Sequence, residues 1–219
     1  MERYQVTITG ETPLLMHADN LKWDELMRRW LAEPENKKNS SAGDDRTPAW
    51  RWIGYLYHES GQIIMPADKL MTLLREGGAK CPAGKKNLTF KRQSQSGLVV
   101  DQSSWPLLVH GKPILFDEVK SLIDNADFAS HEAAAASLGF ELFVKRAKIG
   151  QAKHVRVRPR FDSWGCGGTI TVLDETITQD VLTRILTYAG QHAGLCDWRP
   201  SSPSKPGPFG KFSVKVKAI

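Results

Sequence analysis

Large apolar and polar residues alternate through Tyr4-Gln5-Val6-Thr7-Ile8-Thr9 and stop at Gly10. This period-two pattern predicts a half-buried strand. The same alternation returns near the other end, in Phe212-Ser213-Val214-Lys215-Val216, and predicts a last strand. Helical spacing governs other stretches. Leu70, Met71, Leu73 and Leu74 follow Pro66, which suits a first helical turn because its missing N–H would be unpaired there. Gly77-Gly78 is expected to stop that helix. Val181, Leu182, Ile185, Leu186 and Ala189 form an apolar stripe, the clearest helix signal in the chain, over residues 178–194. Thr178 can cap it. Residues 21–31 predict a further short helix.

Residues 33–48, rich in Pro, Asn, Ser, Lys and Asp, read as an exposed loop. The aromatic run 50–57 is strand-like. Residues 79–95 are basic and polar, a loop or a β-hairpin. Leu98-Val99-Val100 and Leu107-Leu108-Val109 predict short strands. Residues 117–123 predict a short helix with acids at its start. The alanine run in 131–138 fits a helix or a small-residue loop. Residues 140–149, 155–161 and 169–173 have strand character. The order is β, insertion, α, several β, α, β. It predicts an α+β fold, an antiparallel sheet backed by helices, with strands from both chain ends. At 219 residues a single domain is expected.

Composition narrows the class. Hydrophobic residues at 41% and charged residues at 25% are ordinary for a globular protein and exclude wholesale disorder. No apolar run approaches the roughly 18–20 residues of a membrane helix. Met1-Glu2-Arg3-Tyr4-Gln5 lacks a signal-peptide core. A cytoplasmic location without a membrane partner is the expectation. Cys81, Cys166 and Cys196 are widely spaced with no C-x-x-C pair, so no metal site, redox motif or cofactor is expected.

Charge changes the picture more. The net charge is +6, and the cations are segregated. Lys145, Arg146, Lys148, Lys153, Arg156, Arg158 and Arg160 follow one another with no acid among them. A second cluster holds Lys80, Lys85, Lys86, Lys91 and Arg92, and a third Lys205, Lys211, Lys215 and Lys217. In Val155-Arg156-Val157-Arg158-Pro159-Arg160, a strand would put the three arginines on one face. Such a row suits a phosphate backbone, since each guanidinium can form paired hydrogen bonds to phosphate oxygens. The competing reading is a set of salt bridges to acids. Single-stranded RNA or DNA is therefore the expected partner.

The end of the last helix, Gly190-Gln191-His192-Ala193-Gly194, is followed by Cys196-Asp197-Trp198-Arg199-Pro200 and then Gly207-Pro208-Phe209-Gly210-Lys211-Phe212. Basic and aromatic residues interleave with glycine here, which suits stacking plus phosphate binding, or equally a tightly packed crossover. This loop resembles the glycine-rich loop of the RAMP superfamily, the backbone and processing subunits of CRISPR ribonucleoproteins. Residues 62–75, a strand, then Met65-Pro66-Ala67 and a helix ending in Arg75, are similar to that family's first strand-to-helix signature. Gly10-Glu11-Thr12-Pro13-Leu14 is similar to its opening. The resemblance implies an RRM-like or ferredoxin-like fold with insertions about 20–60 and 110–140. It also implies RNA binding along sheet and loops, with self-association into a filament beside other ribonucleoprotein subunits. The sequence departs from the family pattern at Gly77-Gly78 and in the proline-rich stretch 200–208.

Trp198 and Arg199 join Lys205 and Lys211 as loop candidates for nucleic acid. The remaining aromatics, such as Trp50 and Trp52, read as core. Processing members of the family cleave RNA with a general acid or base, often histidine. His17 and His154 are the candidates for that role, which makes a metal-independent endoribonuclease the runner-up. A third reading is a protein-interaction or inhibitor module with a basic face.

Overall fold

The computed structural model describes residues 1–219 except Lys85, Lys86, Gly150, Ser204 and the side chain of Ile149. In chain order the elements begin with β1 (Glu2–Gly10), β2 (Leu14–Leu15), α1 (Leu21–Ala32), α2 (Pro34–Asn39) and a 3-10 turn, Ala49–Tyr55. They continue with β3 (His58–Glu59), β4 (Gln62–Pro66), α3 (Ala67–Lys80), α4 (Lys91–Ser96), β5 (Leu98–Val100), β6 (Ser104–Pro106), β7 (Leu108–Val109) and β8 (Lys112–Pro113). The last third holds α5 (Phe116–Lys120), α6 (Phe128–Ser137), β9 (Glu141–Ile149), β10 (Ala152–Phe161), β11 (Trp164–Val172), α7 (Gln179–Tyr188) and β12 (Phe212–Ala218). This is an α+β chain with antiparallel sheets. No helix among the described residues is long and apolar enough to cross a membrane.

The chain packs as two compact units. The first comprises Met1–Leu15, Ile64–Pro113 and Asp162–Ile219, the second Met16–Ile63 and Ile114–Phe161. Residues 20–60, and those from 114 to 140, all belong to the second unit.

In the first unit the sheet runs β12-β1-β11, with β5 and β7 both pairing the far side of β11. All these pairings are antiparallel, and the strands from the two chain ends lie side by side. Tyr4, Val6 and Ile8 are buried while Gln5, Thr7 and Thr9 are exposed, as the alternation requires. Leu70, Leu73 and Leu74 of α3 and Leu182, Ile185 and Leu186 of α7 complete this core. Thr178 caps α7 through Val181 N.

Gly77 and Gly78 do not end α3, which runs on to Lys80. Their role is close approach. A Cβ at Gly77 would lie 2.6 Å from the Ile185 carbonyl oxygen and 2.7 Å from Ala189 Cβ. One at Gly78 would overlap Ser94 Oγ and lie 2.9 Å from the Phe90 carbonyl oxygen. Glycine lets α7 and α4 pack directly on the α3 backbone, which outweighs its low helix propensity.

The second unit departs further from the sequence reading. Residues 49–55 form a 3-10 turn rather than a strand, with Trp50, Trp52 and Ile53 all buried. Here packing overrides the β preference of aromatic residues. Trp52 donates to His131 Nδ1 at 3.1 Å and packs edge-on to Phe140, which in turn contacts Phe161. The expected loop 33–48 contains α2, and its last part is docked rather than exposed. Val155 N donates to the Gly43 carbonyl and Asp45 N to the Val155 carbonyl, which joins the loop to β10 and leaves Asp45 fully buried. The alanine run is helical, in α6, capped by the Asp127 carboxylate. β9 and β10 form one long antiparallel hairpin.

Candidate nucleic-acid interface

The β9–β10 hairpin gathers most of the basic residues singled out in the sequence. Its outer part carries Lys145, Arg146, Lys148 and Lys153, all exposed. Register puts Lys148 directly opposite Lys153 and Lys145 directly opposite Arg156. Directly opposed like charges are unfavourable unless an anion lies near. The chain holds no acid from 142 to 161, so the hairpin supplies none of its own beyond Glu141 at its base.

Nearer the base, the arginine row behaves differently. Val157 and Pro159 are buried, and Arg156, Arg158 and Arg160 share the opposite, half-buried face. Arg156 Nη1 lies 2.9 Å from Asp45 Oδ1, Arg158 Nη1 3.2 Å from Asp45 Oδ2, and Arg51 Nη1 3.3 Å from Asp45 Oδ1. Arg160 pairs with Glu141 at 2.7 Å. The row is thus a set of ion pairs, with Arg156 and Arg158 joined by Arg51 on one buried carboxylate and Arg160 on Glu141. Sequence reasoning missed Asp45, which sits in a stretch that reads as solvated loop. It missed Arg51 too, hidden in the aromatic run. No local signal marks either.

Arg158 also lies over the Tyr55 ring, 4.6 Å from its centroid, and its Nη2 is 3.4 Å from His17 Nδ1. The His17 ring stands edge-on to Tyr55 at 4.9 Å. Burial, and then the Asp45 carboxylate, raise the Tyr55 hydroxyl above its ordinary pKa. His17, Tyr55 and Arg158 line one open cavity together with Asp19 and Asp24. His154 has other neighbours. It packs against Gly43, where a Cβ would lie 2.1 Å from its Nδ1, and that buried nitrogen has no hydrogen-bond partner among the described residues. The two candidate histidines therefore occupy different surroundings.

The remaining candidates lie in the first unit. Lys91 and Arg92 are exposed on α4, and Lys205 is exposed in the C-terminal loop. Lys211 is half-buried, its backbone N–H donating to Thr12 Oγ1. Lys85 and Lys86 lie outside the described residues. Trp198 is held by the loop itself, and Arg199 by the loop and by Glu76 of α3. The Trp198 ring packs on Phe209 at 5.3 Å. Arg199 reaches Glu76, Ser201 Oγ and the Cys196 carbonyl. The glycines serve this packing. Gly194 and Gly210 have φ of +74° and +72°, and a Cβ at Gly210 would lie 2.0 Å from the Leu195 carbonyl oxygen.

The three cysteines are free, and burial pushes the Cys196 thiol up to about 12, so it is not a poised nucleophile. Among the described residues no group of three or more His, Cys, Asp or Glu side chains is placed to hold a metal ion. No protein-family model matches this chain, and no curated protein matches it.

Proposed function

We propose that this chain binds single-stranded nucleic acid, RNA foremost, with little sequence preference, and that copies assemble along the strand as the backbone of a ribonucleoprotein. The observation that carries the reading is the outer part of the β9–β10 hairpin, where Lys148 faces Lys153 with Lys145 and Arg146 alongside. A phosphate backbone is the polyanion that such a run of exposed cations attracts.

The first unit supports a RAMP-type assignment with a ferredoxin-like, RRM-like fold. Its main elements follow β1-α3-β5-β11-α7-β12, and the sheet order β12-β1-β11-β5 is that of a split βαβ arrangement. Arg3, Gln5, Thr7 and Thr9 of β1 and Ser213, Lys215 and Lys217 of β12 are exposed on the sheet. They offer hydrogen bonds and charge but no aromatic ring for a base to stack on. Recognition through the backbone, tolerant of sequence, follows from that inventory.

Light scattering after size exclusion, with absorbance at 260 and 280 nm, tests the assembly. A large mass rich in 260 nm absorbance that collapses on nuclease treatment in high salt supports the reading. A clean monomer indifferent to added single strands contradicts it.

The contact between His17 and Arg158 favours one second reading, metal-independent RNA cleavage with His17 as the proton-transfer group. Discrete cleavage of a labelled hairpin RNA that is lost in His17→Ala and kept in His154→Ala would establish it. An uncut RNA would dismiss it.

A further inference from the structure

The open face of the first unit's sheet carries a trough of about 420 Å³, within the range of about 300–1,000 Å³ usual for ligand sites. Gly165 and Gly167 of β11 form its floor, opposite Thr9 and Thr7 of β1. The Arg3 carbonyl and the Glu11 N–H are bonded to the chain end and to Lys211, on the β12 side. Thr7 and Thr9, at alternate positions between them, therefore stand in non-hydrogen-bonded pairs with β11, where facing strands come closest. A Cβ at Gly165 would lie 2.8 Å from the Ile8 carbonyl oxygen, and one at Gly167 2.9 Å from that of Val6. The close pairing excludes a side chain at two successive positions of one face. Each threonine thus faces bare backbone where a cross-strand side chain would otherwise sit. A strand whose interior glycines open outward in this way lets a ligand approach its backbone.

The far wall is the β7–β8 hairpin. Leu108 pairs with Gly165. His110 and Gly111 make the turn, with φ of +49° and +79°, and leave the His110 ring exposed at the rim. On the other side of β1, Lys215 stands opposite Thr7 and Lys217 opposite Gln5. Among the described residues Thr7, Thr9, His110, Lys215 and Lys217 have no side-chain partner. Arg3 is different, because Asp101 pairs with it at 3.0 Å and the two add no net charge. The face therefore carries a file of cations on β12, a file of hydroxyls on β1 and a flat floor on β11 rimmed by an imidazole. Phosphate, sugar and base need these three surfaces in this order.

We propose that this trough seats one nucleotide of the bound strand. Its base lies on the Gly165–Gly167 backbone against His110, and its sugar and phosphate run over Thr7 and Thr9 to Lys215 and Lys217. The site rests on the strand-binding function proposed above and adds a second contact surface to the hairpin lysines. A flat peptide floor and a ring accept any base, which keeps binding tolerant of sequence.

Photocross-linking of a uridine-rich RNA carrying one thiouridine to the full chain, with adducts mapped by mass spectrometry, tests the placement. Adducts are expected in residues 106–111 and 163–167. In fluorescence anisotropy with the same RNA, His110→Ala weakens binding about fivefold or more, the loss of one stacked base. Thr7→Glu sets a carboxylate in the trough and weakens binding at least as much. Its melting temperature stays at the parent's or above, because the new charge stands opposite Lys215. Adducts in these segments with weakened binding in either variant support the proposal. Adducts confined to residues 141–161, or parental affinity in both variants, overturn the trough and leave the hairpin reading standing. A parent that binds no strand removes both.

Discussion

Lys148 and Lys153 stand directly opposite each other across the β9–β10 hairpin. In the free protein this pairing works against the hairpin, because opposed like charges raise its energy. Lys153→Glu turns the pair into an attractive one. The variant is expected to melt about 1–3 °C higher than the parent at low salt, with the difference shrinking as salt screens it. A differential scanning measurement at two salt concentrations checks this. An unchanged or lower melting temperature would mean that the two lysines do not feel each other.

Asp45 carries far more of the fold than its surroundings in the sequence indicate. Asp45→Ala leaves three guanidinium groups clustered without their shared carboxylate, and removing one partner of a buried ion pair costs about 3–5 kcal/mol. Arg46→Ala removes an exposed pair with Asp44 two residues away and is expected to cost about 0–1 kcal/mol. Urea unfolding of the two variants gives the contrast.

Gly77→Ala raises intrinsic helix propensity by about 1 kcal/mol, yet it is expected to destabilise. The new methyl group meets the Ile185 carbonyl oxygen and Ala189 Cβ, and overpacking of this kind costs about 1–3 kcal/mol. A rise in the urea midpoint would show that α3 and α7 have room to part.

The same glycines show where sequence reasoning succeeds and where it stops. Strands β1 and β12 and helix α7 were legible because each carries its own periodicity and its own boundary residues, Gly10 at one strand end and Thr178 at the helix cap. Gly77 and Gly78 were misread because propensity treats glycine as a breaker, while the reason for these two lies across a helix interface. Trp50 and Trp52 were rightly read as core but misread as strand for the same kind of reason, since their packing partners lie elsewhere, Trp23 for Trp50 and His131 and Phe140 for Trp52. The site follows this division. The arginine spacing, every second residue on a strand, was readable. That Asp45, more than a hundred residues earlier, gathers two of those arginines was not, because an ion pair between distant segments leaves no local pattern.

His58 gives the fold a pH dependence. Its ring stacks on Phe116 at 3.7 Å between centroids, 8° from parallel. Burial, followed by the nearby Lys22 and Lys120, lowers its pKa below the ordinary 6.5. Between the folded value and 6.5 the unfolded chain binds the proton and the folded chain does not. The stability that His58 contributes is thus complete above about 6.5 and falls as pH drops toward the folded pKa. Urea midpoints across this window should decline in the parent and decline less in His58→Gln. Equal slopes would mean that other groups set the dependence.

Fluorescence anisotropy of a labelled single-stranded RNA tests the central claim most directly, comparing the parent with Lys148→Glu/Lys153→Glu at several salt concentrations. The account predicts saturable binding by the parent at low salt, weakening steeply as salt rises through counterion release. The double variant should bind weakly, with a shallower salt dependence, on unrelated sequences alike. Undiminished binding by the double variant, or no binding by the parent at low salt, would contradict the account.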